Sequence, residues 1–344
     1  MTTRVGIVNV TGYAGSELVR LLHGHPEAEL VSVTGRSAVG QHLSDVFPHL
    51  AGSDLLIQEE LSGSLDLVFL SLPHKAGAEI ATSLLEQGIK VIDLSADFRL
   101  KNLNEYEYWY ETKHPCPEYL KLAVYGLTEL HRLEIGDAKL IGNPGCYPTA
   151  AILGLYPGVK EGIIGPDLII DAKSGVSGAG RSANLGTQFS EVNENLFAYS
   201  VKGHRHFPEI VQELSLFPER VTPTFLTHLV PMTRGIMITS YANIKEGMLG
   251  STKVIAEHIT EIYREFYDKE PFVTMVYNPP QTKETWGSNQ CLVYTTVDER
   301  TNRLIVISCI DNLVKGAAGQ AIQNMNLMQG YPEVMGLNTL AVYP

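Results

Sequence analysis

"RVGIVNVTGYAGSEL", residues 4–18, decides the fold. Residues 4–10 alternate little and are almost wholly aliphatic, the pattern of a strand buried on both faces. From Gly15 to Pro26 the apolar residues recur at helical spacing, and the run stops at His-Pro. Between strand and helix stands Asn9-x-x-Gly12-x-x-Gly15. A glycine-bearing turn in that context lets the backbone approach a pyrophosphate at a helix N-terminus. Asn9 tolerates left-handed backbone better than other non-glycine residues, so the turn can still close. Thr11, Gly12, Tyr13, Ala14 and Gly15 are therefore candidate cofactor contacts.

Outward from this turn, strand and helix keep alternating: strands in 28–35, 65–73 and 90–97, a helix over 77–88, and "KLIGNPGC" (139–146) closing the series. That alternation predicts a doubly wound parallel sheet. Arg36 and Ser37 follow the second strand with no carboxylate nearby, which suits a ribose 2′-phosphate and favours NADP(H) over NAD. Ser71 and Pro73, and then Arg99, fall at later strand ends, where open α/β sheets bind ligands. Beyond residue 165 the strands lengthen and alternate ("PDLIIDAKSGVSG", "TFLTHLVPMTRGIMITSYANI", "CLVYTTVDE", "RLIVISCIDN"), which predicts an α+β domain on a mostly antiparallel sheet. Helices are expected over 251–271 and 311–330. The expected domains are 1–147 for the dinucleotide, completed by 312–344, and 148–311 for catalysis and oligomerisation.

"GNPGCYPT" (142–149) fixes a thiol between Pro-Gly and a second proline, just before an apolar helical run. Pro148 suits the first helical position. Cys146 then lies at a helix N-terminus, where the dipole favours a thiolate. Cys291 and Cys309 lie in apolar strands as inert packing, and Cys116 is a loop residue between prolines. "GHRHFPEI" (203–210) offers His204, Arg205 and His206 as proton carriers and a charge. "KSGVSGAGR" (173–181), with Ser174, Gly175, Ser177 and Gly178, is rich in backbone N–H donors suited to an anion. Arg99 and Arg234 are candidate clamps for phosphate or carboxylate.

The composition bounds the partners. With 26 Lys and Arg against 38 Asp and Glu, the net charge is −12, which argues against nucleic acid or an anionic membrane surface. Four cysteines without paired spacing point to a reducing, cytoplasmic setting and to no metal site. No apolar run is long enough to cross a bilayer.

"GYAGSEL", "SLPHKAG", "LSADFRL", "YGLTEL", "GNPGCYPT", "KSGVSGAGR", "GHRHFPEI" and "HLVPMTRG" occur in this order, and the chain so resembles the N-acetyl-γ-glutamyl-phosphate reductases of arginine biosynthesis. More distantly it is similar to the aspartate-semialdehyde dehydrogenases. The first resemblance implies reductive dephosphorylation of an acyl phosphate by NADPH in a homodimer or homotetramer. It makes Cys146 the nucleophile and His206 the acid/base, with His204 beside it. It places Arg99, Asn143, Ser177, Gly178, Arg205 and Arg234 near the substrate, and Ser71, Pro73, Ser174 and Gly175 near the cofactor. Asn9 departs from the glycine usual at that turn. The alternatives are a reductase of carrier-bound aminoadipyl or glutamyl phosphate, an aspartate-semialdehyde dehydrogenase, a Cys-His hydrolase or acyltransferase, and a non-catalytic NADP-binding regulator. A carrier wants a basic rim, which a −12 chain supplies poorly. A hydrolase needs neither the glycine turn nor Arg36.

Overall fold

The computed structural model describes residues 2–217, 220–245 and 252–344. The chain divides into two compact units, Met1–Gly145 with Ala317–Thr339, and Cys146–Gly316 with Leu340–Pro344. The divisions thus fall at 145/146 and 316/317, against the 147/148 and 311/312 expected, and the last five residues belong with the second unit. There Val342 donates its N–H to the Trp286 carbonyl at 2.9 Å.

In the first unit seven strands form one sheet: β1 (Thr3–Val8), β2 (Ala28–Thr34), β3 (Ile57–Gln58), β4 (Leu67–Leu70), β5 (Lys90–Asp93), β6 (Val124–Tyr125) and β7 (Leu140–Gly142). Their order is β3-β2-β1-β4-β5-β7-β6, and every pairing is parallel. Parallel strands covered on both faces need apolar side chains at successive positions. Accordingly Leu67, Val68, Phe69 and Leu70 are all fully buried. The crossovers carry α1 (Tyr13–His23), α2 (Leu43–Val46), α3 (Ala78–Glu86), α4 (Leu103–Tyr110) and α5 (Thr128–Asp137). Since β2 and β3 lie to one side of β1 and β4 to the other, the sheet reverses between β1 and β4. Ligands of such sheets bind outside the strand ends at that point.

The second unit begins with α6 (Cys146–Lys160) and builds a seven-stranded sheet from β8 (Ile164–Ser174), β9 (Phe197–Tyr199), β10 (Thr222–Leu229), β11 (Ile236–Ile244), β12 (Val273–Met275), β13 (Cys291–Asp298) and β14 (Arg303–Ile310). The order is β12-β13-β14-β11-β8-β10-β9. Four of its pairings are antiparallel, as expected, but β8–β10 and β12–β13 run parallel, so the sheet is mixed. Besides the one-turn α7 (Phe189–Val192), the helices are α8 (Phe207–Leu214) and α9 (Thr252–Tyr267). The expected start of α9 at Ser251 lies outside the described residues. α6 packs on the sheet face that carries Val306 and Ser308, and α9 reaches the same face, where Thr260 hydrogen-bonds Thr295.

The chain returns to the first unit through α10 (Gly319–Met328), which packs on α1 and α5. The single helix expected over 311–330 is broken. Asp311 accepts the N–H groups of Leu313 and Val314, and a π-turn over Val314–Ala318 precedes α10.

Candidate functional site

The turn after β1 is set by three residues acting differently. Asn9 takes the left-handed conformation (φ 65°), and its Nδ2 donates to the Ser71 carbonyl at 2.7 Å, tying the turn to the loop after β4. Gly15 closes the helix onto the strand: a Cβ there would lie 2.8 Å from Asn9 O, Val10 Cα and Val10 O. Gly12, at the N-cap of α1, faces open space, since its Cβ would meet only Asn9 Nδ2 at 3.9 Å. No side chain caps α1 and no acid sits in its first turn, so the helix end is electropositive. Arg36 and Ser37 are exposed in a single 3₁₀ turn after β2. The site thus has an open backbone approach, a helix dipole and a cation where a dinucleotide phosphate group requires them. The residues fit NADP(H).

The neighbouring loop is held from beneath. Asp97, fully buried, accepts the N–H groups of Lys75 (2.9 Å), Gly77 (3.0 Å) and Ala78 (3.2 Å) and the Tyr106 hydroxyl (2.9 Å). Lys75 pays for the bend with a left-handed φ of 73°. This holds Pro73, which is exposed, and His74, whose ring packs on Tyr110, at the end of β4. Ser71 extends β4 by donating to the Val8 carbonyl. Below, Asp93 is pushed up to about 7 by burial first and by the Asp97 charge second.

Arg99 and Asn143, both expected at the substrate, are enclosed. Arg99 is 5% exposed and donates from Nη2 to the Leu94 carbonyl at 2.7 Å. Asn143 is 1% exposed; Nδ2 donates to the Ala317 carbonyl and Oδ1 accepts from Asn324 Nδ2, both at 3.1 Å. Its amide so engaged, Asn143 ties the chain three residues before the thiol to Ala317 and Asn324.

Cys146 is the first residue of α6, so Pro148 is its third residue rather than its first. Proline is still harmless there, since the first four N–H groups of a helix have no intrahelical acceptor. On one side of the thiol stands Gly316, where a Cβ would lie 2.8 Å from Cys146 Cβ. Its turn is fixed by Asp311, fully buried, which also accepts Gly287 N–H at 2.7 Å and pairs with Arg234 at 3.3 Å. Asp311 thereby aims Arg234, whose carbonyl accepts Trp286 Nε1–H.

On the other side Tyr147 organises the imidazoles. Its ring packs edge-on against His204 (5.4 Å between centroids) and His206 (6.0 Å), and the two imidazoles lie 4.7 Å apart. The Tyr199 hydroxyl donates to the Tyr147 hydroxyl at 3.0 Å, and that hydroxyl donates to the His228 carbonyl at 3.3 Å. Burial pushes Tyr147 far up and Tyr199 up to about 12, so both remain neutral phenols. Burial and, second, the Arg205 charge push His204 down to about 4. Arg205 itself is exposed.

The 174–178 loop does not offer its amides to an anion. Gly175, Val176 and Ser177 donate to the carbonyls of Gly235, Met232 and Thr233, and Gly178 and Gly180 donate within the loop. Gly175 is glycine because a Cβ would lie 2.9 Å from Arg234 N and Met232 O. Ser177 Oγ accepts from Asn312 Nδ2, and Ser174 Oγ donates to the Gly175 carbonyl. The loop is a brace for Arg234, and the expected amide cradle is corrected accordingly. Cys309 is fully buried, touches the Pro280 carbonyl and is pushed up to about 12, while Cys291 is also buried.

Comparison with known proteins adds to this geometry. A curated N-acetyl-gamma-glutamyl-phosphate reductase of Dehalococcoides mccartyi strain CBDB1 is 55% identical over 343 residues, 99% of each chain. Enzymes of the same name from Symbiobacterium thermophilum and Geobacillus stearothermophilus are 51% and 49% identical, over at least 99% of each chain. The chain belongs to the N-acetyl-γ-glutamyl-phosphate reductase family. Within it, residues 4–138 match the model of the semialdehyde dehydrogenase NAD binding domain, and 146–312 that of the semialdehyde dehydrogenase dimerisation domain. The fold is that of aspartate semialdehyde dehydrogenase II of Vibrio cholerae (TM-score 0.72, 17% identity, 96% of this chain and 99% of that one). A Candida albicans aspartate semialdehyde dehydrogenase, solved with NADP, has TM-score 0.68 and 17% identity, over 96% of this chain and 99% of that one. No helix among the described residues is long and apolar enough to cross a membrane.

Three residues of this family member escape sequence reading: Tyr147, Tyr199 and Asp311. Tyr147 adjoins the thiol in "GCYPT", and that adjacency is the available signal. Tyr199 and Asp311 reach the site only through the pairing of distant strands.

Proposed function

We propose that this chain reduces N-acetyl-γ-glutamyl phosphate to the semialdehyde and phosphate, using NADPH, through a thioester on Cys146. The observation that carries this reading is a thiol on the first residue of a largely buried helix, followed by Tyr147, on whose ring the imidazoles of His204 and His206 pack. The dipole of α6 favours the thiolate, which attacks the acyl carbon as phosphate departs. Arg234, aimed by Asp311, holds a substrate anion, with Arg205 as a second cation. Arg99, enclosed at the Leu94 carbonyl with its charge acting on Asp93, supports the end of β5. NADPH, when bound, supplies the hydride that reduces the thioester. Thr11 to Gly15 would hold its phosphates and Arg36 and Ser37 its 2′-phosphate, with Ser71 and Pro73 at the neighbouring strand end. His206 donates a proton to the oxyanion and recovers it as the tetrahedral adduct collapses. Backbone N–H groups in the first turn of α6 stabilise that oxyanion.

The first unit with its C-terminal helix is the NADP-binding domain in this scheme, and the second is catalytic. The second also carries the contact between copies of a homodimer or homotetramer, in a cytoplasmic enzyme.

The test is phosphate-dependent NADP⁺ reduction with N-acetylglutamate semialdehyde, beside aspartate semialdehyde as competitor. Turnover with the first and not the second is expected. Cys146→Ser abolishes turnover while leaving NADPH binding intact; retained turnover removes the thiol from the scheme.

A further inference from the structure

The two histidines of "HRH" do different work. We infer that His204 is a positioning residue for His206 and carries no proton in the reaction; this rests on the thioester chemistry proposed above. His204 Nδ1 accepts the backbone N–H of His206 at 3.1 Å, and the His204 carbonyl accepts that of Phe207 at 2.8 Å. His206 is the N-cap of α8, and its carbonyl accepts Ile210 N–H. His204 thus sets the entry of the chain into α8, and with it the point from which the His206 ring projects.

The ring is fixed as well as bonded. Tyr147, Tyr199 and Phe225 meet it edge-on at 5.4, 5.6 and 5.7 Å, and His206 at 4.7 Å. An imidazole whose Nδ1 accepts a backbone N–H carries its proton on Nε2. Protonating Nδ1 would break the bond to His206 and place a cation among those rings beside the Arg205 guanidinium. The low His204 pKa, about 4, agrees with this.

The device recurs in this chain away from any proposed chemistry. His25 Nδ1 accepts Glu27 N–H at 3.2 Å and His114 Nδ1 accepts Cys116 N–H at 3.1 Å, each two residues on. In both, Nε2 faces an oxygen, Asn326 Oδ1 or the Asp97 carbonyl, at 2.8 Å. His204 makes the same two-residue staple, here in front of the proton carrier.

Long-range ¹H–¹⁵N spectra of the full-length protein, assigned with His204→Asn and His206→Asn, test this without any turnover. His204 is expected to show the Nε2–H tautomer and no titration between about pH 5.5 and 8, while His206 titrates. A titrating His204 overturns the inference. Kinetics then separate the roles. Asn at 204 can accept the N–H two residues on as an Asx-turn, so His204→Asn keeps the pH profile and loses at most about fivefold in kcat. His204→Ala, lacking the acceptor, loses about tenfold with KM little changed. His206→Asn loses about 10²–10⁴-fold together with one limb of the profile. If His204→Asn instead loses that limb, His204 is the acid/base. A wild-type protein inert toward the acyl phosphate sinks the proposed reaction, while the spectra still decide the staple.

Discussion

Gly12 and Gly15, three positions apart on one turn, are glycine for opposite reasons. At Gly15 an alanine methyl would lie 2.8 Å from main-chain atoms of Asn9 and Val10, which cannot swing away as a side chain would. Gly15→Ala should cost about 1–3 kcal/mol, read as a lower Tm without cofactor. At Gly12 the backbone (φ −80°, ψ 165°) suits any residue and the space is open. Gly12→Ala should leave Tm within about a degree, since such changes stay within about 0.5 kcal/mol. It should raise the Kd for NADPH about tenfold or more by filling the phosphate approach. Equal effects on Tm from both variants would refute this division. Asp93 gives a pH prediction. Its native pKa of about 7 exceeds the ordinary 3.8, so the native state holds the proton more tightly than the unfolded chain. The stabilisation is complete below 3.8 and is lost as pH rises through about 7. Asp93→Asn keeps a neutral side chain, so its unfolding free energy relative to wild type should rise from about pH 5 to pH 8, by on the order of 2–4 kcal/mol. A pH-independent difference would rule this cause out.

At the scale of elements, α6 shows what must be supplied from elsewhere. Pro157 sits inside the helix and has no N–H for the Leu153 carbonyl four residues back. The Tyr267 hydroxyl of α9 donates to that carbonyl instead, while Ser308 Oγ donates to the Ala150 carbonyl at 2.7 Å. Tyr267→Phe should therefore cost about 1–3 kcal/mol by leaving a buried carbonyl bare. Pro157→Ala restores an N–H, so adding it to Tyr267→Phe should recover part of that loss; simple additivity in thermal unfolding would contradict this. Such compensations explain what sequence could and could not tell. The glycine turn, the parallel strands and the thiol at a helix start were legible because each follows from neighbours along the chain. The parallel pairing of β8 with β10 was not, because its register, Asp167 to Ser174 against Thr222 to Leu229, joins distant segments. Nor was the fate of the 174–178 amides, whose acceptors lie at 232–235, nor that of Asn143, whose partners are Ala317 and Asn324. Small residues and a polar side chain look alike in sequence whether they meet a ligand or the protein's own backbone.

For the whole molecule, the second sheet poses the question of what covers its other face. Its helices α6 and α9 pack on the face of Val306, Ser308 and Thr295. The opposite positions include Ile169, Met237, Tyr241, Tyr294, Ile305 and Ile307, each partly or well exposed. The register makes them contiguous: Tyr241 lies directly between Ile169 of β8 and Ile305 of β14. An apolar sheet face of this kind in a single copy marks an interaction surface. With a net charge of −12, two copies repel over distance, and this face also carries Asp171 and Lys173, so association through it should rest chiefly on burying its apolar part. Multi-angle light scattering should give a mass of at least twice 37.8 kDa. Tyr241→Arg together with Ile305→Arg should return it to that of one chain, since four guanidinium groups would face each other across a twofold contact. Added salt should leave the wild-type assembly intact, because screening relieves the repulsion without weakening apolar burial. A wild-type chain that runs as a single copy at micromolar concentration, or an assembly that salt dissolves, would show that this face is not where copies meet.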